Sequence, residues 1–119
     1  MGSKVKAICK CGVNRDILIG GGMRSFKYEC LFPCLCENCN DVVEANLFNS
    51  NLRCPKCSNE NLIPYDDDRV IGVKGDQNIV SWDVSWKLGR ILTLTNGSYK
   101  CPKCKNLTLE FWRLIYNWD

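Results

Sequence analysis

Cys36-Glu37-Asn38-Cys39, then fourteen residues, then Cys54-Pro55-Lys56-Cys57 is the stretch that decides how this chain is built. Two thiols separated by two residues sit on one tight bend, a knuckle, and aim both sulfurs at a single centre. A second knuckle completes a tetrahedral set of four around Zn²⁺. The intervening fourteen residues leave room for one short strand pair. The chain contains no His, so every soft ligand must be a thiolate, and the commonest general base is missing.

Working outward, Cys101-Pro102-Lys103-Cys104 repeats Cys54-Pro55-Lys56-Cys57 residue for residue, with an Asn two positions after each. Cys9-Lys10-Cys11 forms a tighter C-x-C pair near the start, and Cys30 and Cys34 stand apart. The residue after the second Cys of a knuckle often needs positive φ, which Gly and Asn tolerate best. Gly12 and Asn40 meet that demand directly, and Ser58-Asn59 and Lys105-Asn106 only approximately.

The two-knuckle pattern over residues 35 to 65 resembles the zinc-ribbon family, in which knuckles at the ends of β-hairpins grip one zinc. It is also similar to small uncharacterised bacterial zinc-ribbon proteins. The resemblance implies a first ribbon with ligands Cys36, Cys39, Cys54 and Cys57. Cys101 and Cys104 then look like the C-terminal knuckle of a second ribbon, with Cys9 and Cys11 as their partners. That pairing makes 1–119 one compact unit, with an outer ribbon of 4–30 plus 77–119 and an inner ribbon, 34–65, inserted in it. Closing so long a loop costs only about 0.6 kcal/mol per doubling of length, against about 10 kcal/mol or more from a structural Cys₄ zinc. A rival pairing builds one site from Cys9, Cys11, Cys30 and Cys34 and strands Cys101 and Cys104. On the nested pairing, Cys30 and Cys34 are buried thiols among Phe32, Pro33 and Leu35; a redox-sensing or metal-sensing pair is the alternative.

Ten cysteines in 119 residues is near the range where composition itself indicates a metal-bound or cross-linked scaffold. With no apolar run long enough to span a bilayer and no signal-peptide pattern, the protein is expected to be soluble, cytoplasmic and without membrane partners. In a reducing compartment, close Cys pairs are metal ligands before they are disulfides. The formal charge is +3, but each four-thiolate zinc site carries a net −2, so two sites bring the chain to about −1. Charge therefore selects no partner class.

Between the knuckles the text reads as strand. Lys4 to Ile8 and Asp16 to Ile19 flank the first knuckle, Arg24 to Cys30 alternates, and Val80, Trp82, Val84 and Trp86 alternate with polar residues. Arg90 to Thr95 follows, and Asn96-Gly97 predicts a type I′ turn leading through Ser98-Tyr99-Lys100 into the last knuckle. A final strand, Leu107 to Tyr116, is predicted to turn Leu107, Leu109 and Phe111 to the core, while Asp41 to Asn46 could form a turn. The expected fold is a small, mostly antiparallel β protein, a metal-stabilised double zinc ribbon with little or no helix and about two Zn²⁺ per chain.

Catalytic chemistry finds little purchase. C-x-x-C pairs close the fourth coordination position that a zinc-bound water would need. Gly20-Gly21-Gly22-Met23-Arg24 lacks the Gly-Lys-Ser/Thr ending of a phosphate loop and reads as a flexible turn. Asp66-Asp67-Asp68 is similar to the acidic hairpin tip of transcript-cleavage ribbons, but lies beyond the second knuckle and reads as a solvated connection. Lys56 and Lys103, inside knuckles, are expected to offset thiolate charge. No catalytic residues and no small-molecule substrate are expected. Because zinc ribbons often serve transcription and translation machinery, the resemblance implies a non-enzymatic adaptor. It would dock on nucleic acid or a complex handling it, with Arg24, Lys27, Lys87, Arg90 and Lys103 as candidate contacts. The alternative is a protein-interaction module using an edge strand or a Trp-bearing face.

Overall fold

The computed structural model describes residues 2–20, 29–49 and 51–118, without the side chains of residues 2, 3 and 114–118. Among them lie eight strands: β1 (Gly2–Ile8), β2 (Asn14–Gly20), β3 (Leu31–Cys36), β4 (Asp41–Asn46), β5 (Ile63–Pro64), β6 (Asn78–Asp83), β7 (Ile91–Thr95) and β8 (Glu110–Trp118). Among the described residues, helix is confined to one four-residue turn, α1 (Ser85–Leu88), and a 3₁₀ turn at Asp68–Val70. No helix among these residues is long and apolar enough to cross a membrane. The protein is thus a small, mostly antiparallel β structure, as its alternating patterns predict.

The main sheet runs β4-β3-β2-β1-β8, with β5 on the other edge of β3, and β6 and β7 form a separate pair. Alternation sets its inner face: Val5 and Ala7 of β1 and Ile17 and Ile19 of β2 are buried, and Ala7 sits opposite Phe111 of β8. Above this face Tyr65, Tyr99 and Phe111 pack edge-to-face, with centroids 5.1 to 5.8 Å apart. The Tyr65 hydroxyl donates to the Lys100 carbonyl at 2.8 Å, and the Tyr99 hydroxyl accepts from the Thr95 amide at 2.8 Å. Burial pushes the Tyr65 phenol up from its ordinary value, so it stays neutral.

Four local expectations are corrected. Asp41–Asn46 is a strand, because its amides and carbonyls pair with β3 from Leu31↔Asn46 to Cys36↔Asp41. The alternating run from Val80 stops at Asp83, whose carboxylate accepts from the Ser85 amide at 3.0 Å and hydroxyl at 2.7 Å. That Asx bend starts α1 and swings Trp86 off the face of Trp82 to 59% exposure. Asn96-Gly97 makes no type I′ turn, since neither residue has positive φ. Gly97 is needed there for closeness instead: a Cβ would collide with the Val73 carbonyl. Leu107 is 53% exposed, whereas Leu109 and Phe111 enter the core as predicted. Most of the expected Arg24–Cys30 strand lies outside the described residues.

Candidate metal centres

The β1–β2 and β3–β4 hairpin tips each carry a knuckle. The β1–β2 tip bends at Cys9-Lys10-Cys11 through a Gly12 amide to Cys9 carbonyl bond of 3.0 Å, and the β3–β4 tip bends at Cys36–Cys39 with the Cys39 amide 3.4 Å from the Cys36 Sγ. The repeated C-P-K-C knuckles fold alike. Cys54 and Cys101 each donate their amide to the Asn five residues on, at 2.9 and 2.8 Å. The Ser58 and Lys105 amides return to the Cys54 and Cys101 carbonyls at 2.9 and 3.0 Å. Identical local sequence produces identical backbone closure. Among the described residues, the non-glycine positions with positive φ are Asn40, Ser58 and Lys105, each following the second Cys of a knuckle; Gly12 occupies the fourth such place.

The sheet gathers these tips into two clusters. Cys9, Cys11, Cys101 and Cys104 form the first, and Cys36, Cys39, Cys54 and Cys57 the second, with all sulfurs of a cluster within 4.8 Å of one another. Sulfurs approach to 3.7 and 3.5 Å in the first and to 3.6 and 3.7 Å in the second. Disulfides require about 2.05 Å, and all ten cysteines are free. A tetrahedron of thiolates about 2.3 Å from a central Zn²⁺ has edges of about 3.8 Å, so both donor sets fit a tetrahedral metal ion. Each group of four can hold one ion, and four sulfurs leave no open coordination position.

Hydrogen bonds pull three of these thiols toward ionisation, while burial and a neighbouring sulfur push two others away from it. The Asn38 side chain and the Asn59 amide hold the Cys57 thiol down to about 6, and the Asn106 amide and Thr108 hydroxyl hold Cys104 down to about 6. Burial pushes Cys101 up to about 12, and the bond to Cys57 is the main cause that raises Cys39. In Cys9 burial acts upward, but the Cys11 amide and Thr108, 3.1 Å away, prevail and lower it. Thr108, Asn38, Asn59 and Asn106 were not legible as site residues, except that an Asn recurs at the same step after both C-P-K-C knuckles.

Asp41, also unforeseen, ties the clusters into the sheet. Its buried carboxylate accepts a fork from Arg15 of β2 at 3.1 and 2.9 Å and a bond from Lys56 at 2.8 Å. Lys56 thus serves a neighbouring carboxylate rather than the thiolates. Burial acts to raise Asp41, but these two cations outweigh it and hold the carboxyl below its usual range. A depressed folded-state value means that the ion pair is fully formed above the usual Asp range and fades only as pH falls through that depressed value. Asp41→Asn is expected to cost about 1–3 kcal/mol, moderated because both cations are half exposed. Thermal melts of the metal-loaded variant and parent at about pH 6 and pH 8 should show the same penalty, because both lie above the titration.

Cys30 and Cys34 belong to neither cluster, and both are fully buried. Burial raises the Cys30 thiol to about 12 and drives Cys34 upward as well, so both behave as apolar filling. The nominated surface cations fall in three different surroundings. Arg90 donates to Asp66 at 2.7 Å, Lys87 stands 5.0 Å over the Phe48 ring, and exposed Lys103 lines a cleft of about 530 Å³ between the clusters, beside Asn40 and Lys105. Arg24 and Lys27 lie outside the described residues. Of the acidic run, Asp66 is paired with Arg90, while Asp67 caps the 3₁₀ turn and is held at about 2 by hydrogen bonds from Arg69. No family model, curated protein or solved structure matches this chain.

Proposed function

We propose that this chain is a zinc-ribbon protein with two structural Zn²⁺ ions, acting in the cytoplasm as a non-enzymatic adaptor that docks on nucleic acid or on a complex handling it. Closed four-sulfur centres support the structural role of the metal, since no position remains for a reacting water. One patch supports docking. Trp86 is 59% exposed and meets Phe48 edge-on at 5.5 Å, with Lys87 over the Phe48 ring. An exposed indole offers a stacking surface for an unpaired base, and the adjacent ammonium suits a backbone phosphate.

Because the metal-loaded chain carries about −1, stacking rather than counterion release supplies most of the affinity, and a shallow salt dependence follows. Titrating a single-stranded oligonucleotide is expected to quench tryptophan fluorescence saturably. Trp86→Ala is expected to weaken binding about 5- to 100-fold. No saturable binding by the parent, or equal binding by Trp86→Ala, would refute this reading. A second reading, docking of a protein segment by strand addition, draws on β8, which spans nine residues and pairs along one edge with β1, with Trp112 58% exposed. Partner capture insensitive to nuclease and lost with Trp112→Ala would favour it.

A further inference from the structure

We propose that the two four-sulfur centres load metal as a coupled pair, so that the folded, docking-competent protein appears over a narrow range of free zinc. The inference rests on the zinc reading above. It is carried by two physical links between the clusters. The first joins equivalent residues: Asn40 follows Cys39 of the second cluster, Lys105 follows Cys104 of the first, and the Lys105 ammonium donates to the Asn40 Oδ1 at 2.7 Å. Both residues hold positive φ, at 53° and 66°, a conformation that side chains adopt at a cost. An ion that closes one knuckle therefore presents one half of the bond to the other.

The second link is Asp41. It lies one residue beyond Asn40, takes Lys56 from the other knuckle of the second cluster, and takes Arg15 from the strand leaving the first cluster's Cys11 knuckle. Placing Asp41 by closing the second cluster therefore places Arg15 and β2. The same sheet, β4-β3-β2-β1-β8, carries both hairpin tips, so the first ion ordering it spares the second that cost. Coupling between binding sites is reciprocal, so each ion should raise the affinity of the other by the same factor.

Competition between the full-length protein and a chromophoric zinc chelator tests this, with circular dichroism recorded on each sample. The parent is expected to take up two Zn²⁺ in one transition with a Hill coefficient above about 1.5. Asn40→Gly keeps the positive φ and all eight sulfurs while deleting the amide. Paired with Lys105→Gly, it should leave the metal-loaded sheet spectrum unchanged, lower the affinity for the second ion about three- to tenfold, and bring the Hill coefficient toward 1. The two single variants should each produce the same loss as the double variant. Two separate uptake steps in the parent would overturn the coupling, and a Hill coefficient unmoved by Asn40→Gly would overturn the part assigned to the Asn40–Lys105 bond. A chain that takes up no zinc would overturn the metal reading itself, a distinguishable result.

Discussion

Removing the metal with a strong chelator is expected to abolish the cooperative thermal transition and the sheet spectrum, and restoring about two Zn²⁺ per chain should recover both. A structural zinc supplies about 10–16 kcal/mol at neutral pH, whereas the net stability of a whole domain is about 5–15 kcal/mol. Two such centres would therefore contribute more than the net stability of an ordinary domain. Both C-P-K-C knuckles are short coil segments closed on themselves by two backbone bonds each, which is the basis of this expectation. Asn40, Ser58 and Lys105 would relax from positive φ once released. Retention of a cooperative melt and an unchanged sheet spectrum after complete chelation would show that the apolar interior suffices.

Tyr65→Ala is expected to be the most damaging substitution outside the sulfur clusters, costing about 3–5 kcal/mol in the metal-loaded protein. The ring is fully buried, packs edge-on against Tyr99 and Phe111 at 5.8 and 5.2 Å, and lies immediately after β5. Its hydroxyl reaches the carbonyl of Lys100, the residue before Cys101, so the side chain joins the segment that follows the second cluster to a knuckle of the first. Tyr65→Phe keeps the packing and leaves one carbonyl unpaired, for about 1 kcal/mol. Denaturant midpoints with unchanged slopes would measure both. A loss below about 1 kcal/mol for Tyr65→Ala would mean that the aromatic trio does not bear on stability.

What could be read directly from the residues concerned chemistry that is local along the chain. Thiol spacing set the knuckles, because two sulfurs two residues apart can serve one centre whatever surrounds them. The repeated C-P-K-C text foretold repeated knuckles, and the final strand's pattern foretold that Leu109 and Phe111 enter the core. Trp86 escaped that reading because one short-range bond, from Ser85 to the Asp83 carboxylate, ended the strand before the pattern did.

Other features were decided by residues distant in sequence. Asp41–Asn46 is a strand because β3 offers it partners, and Asp41 matters because Arg15 and Lys56 arrive from elsewhere to meet it. Arg90 looked available for a phosphate until folding placed Asp66 against it. The amino-acid order by itself determined a β protein with thiols set in metal-binding pairs, since bond geometry and side-chain period act within a few residues. Only the tertiary structure decided that Cys9 and Cys11 join Cys101 and Cys104 rather than Cys30 and Cys34, which cations are engaged and how the two centres touch, because those depend on contacts made when the sheet closes the chain on itself.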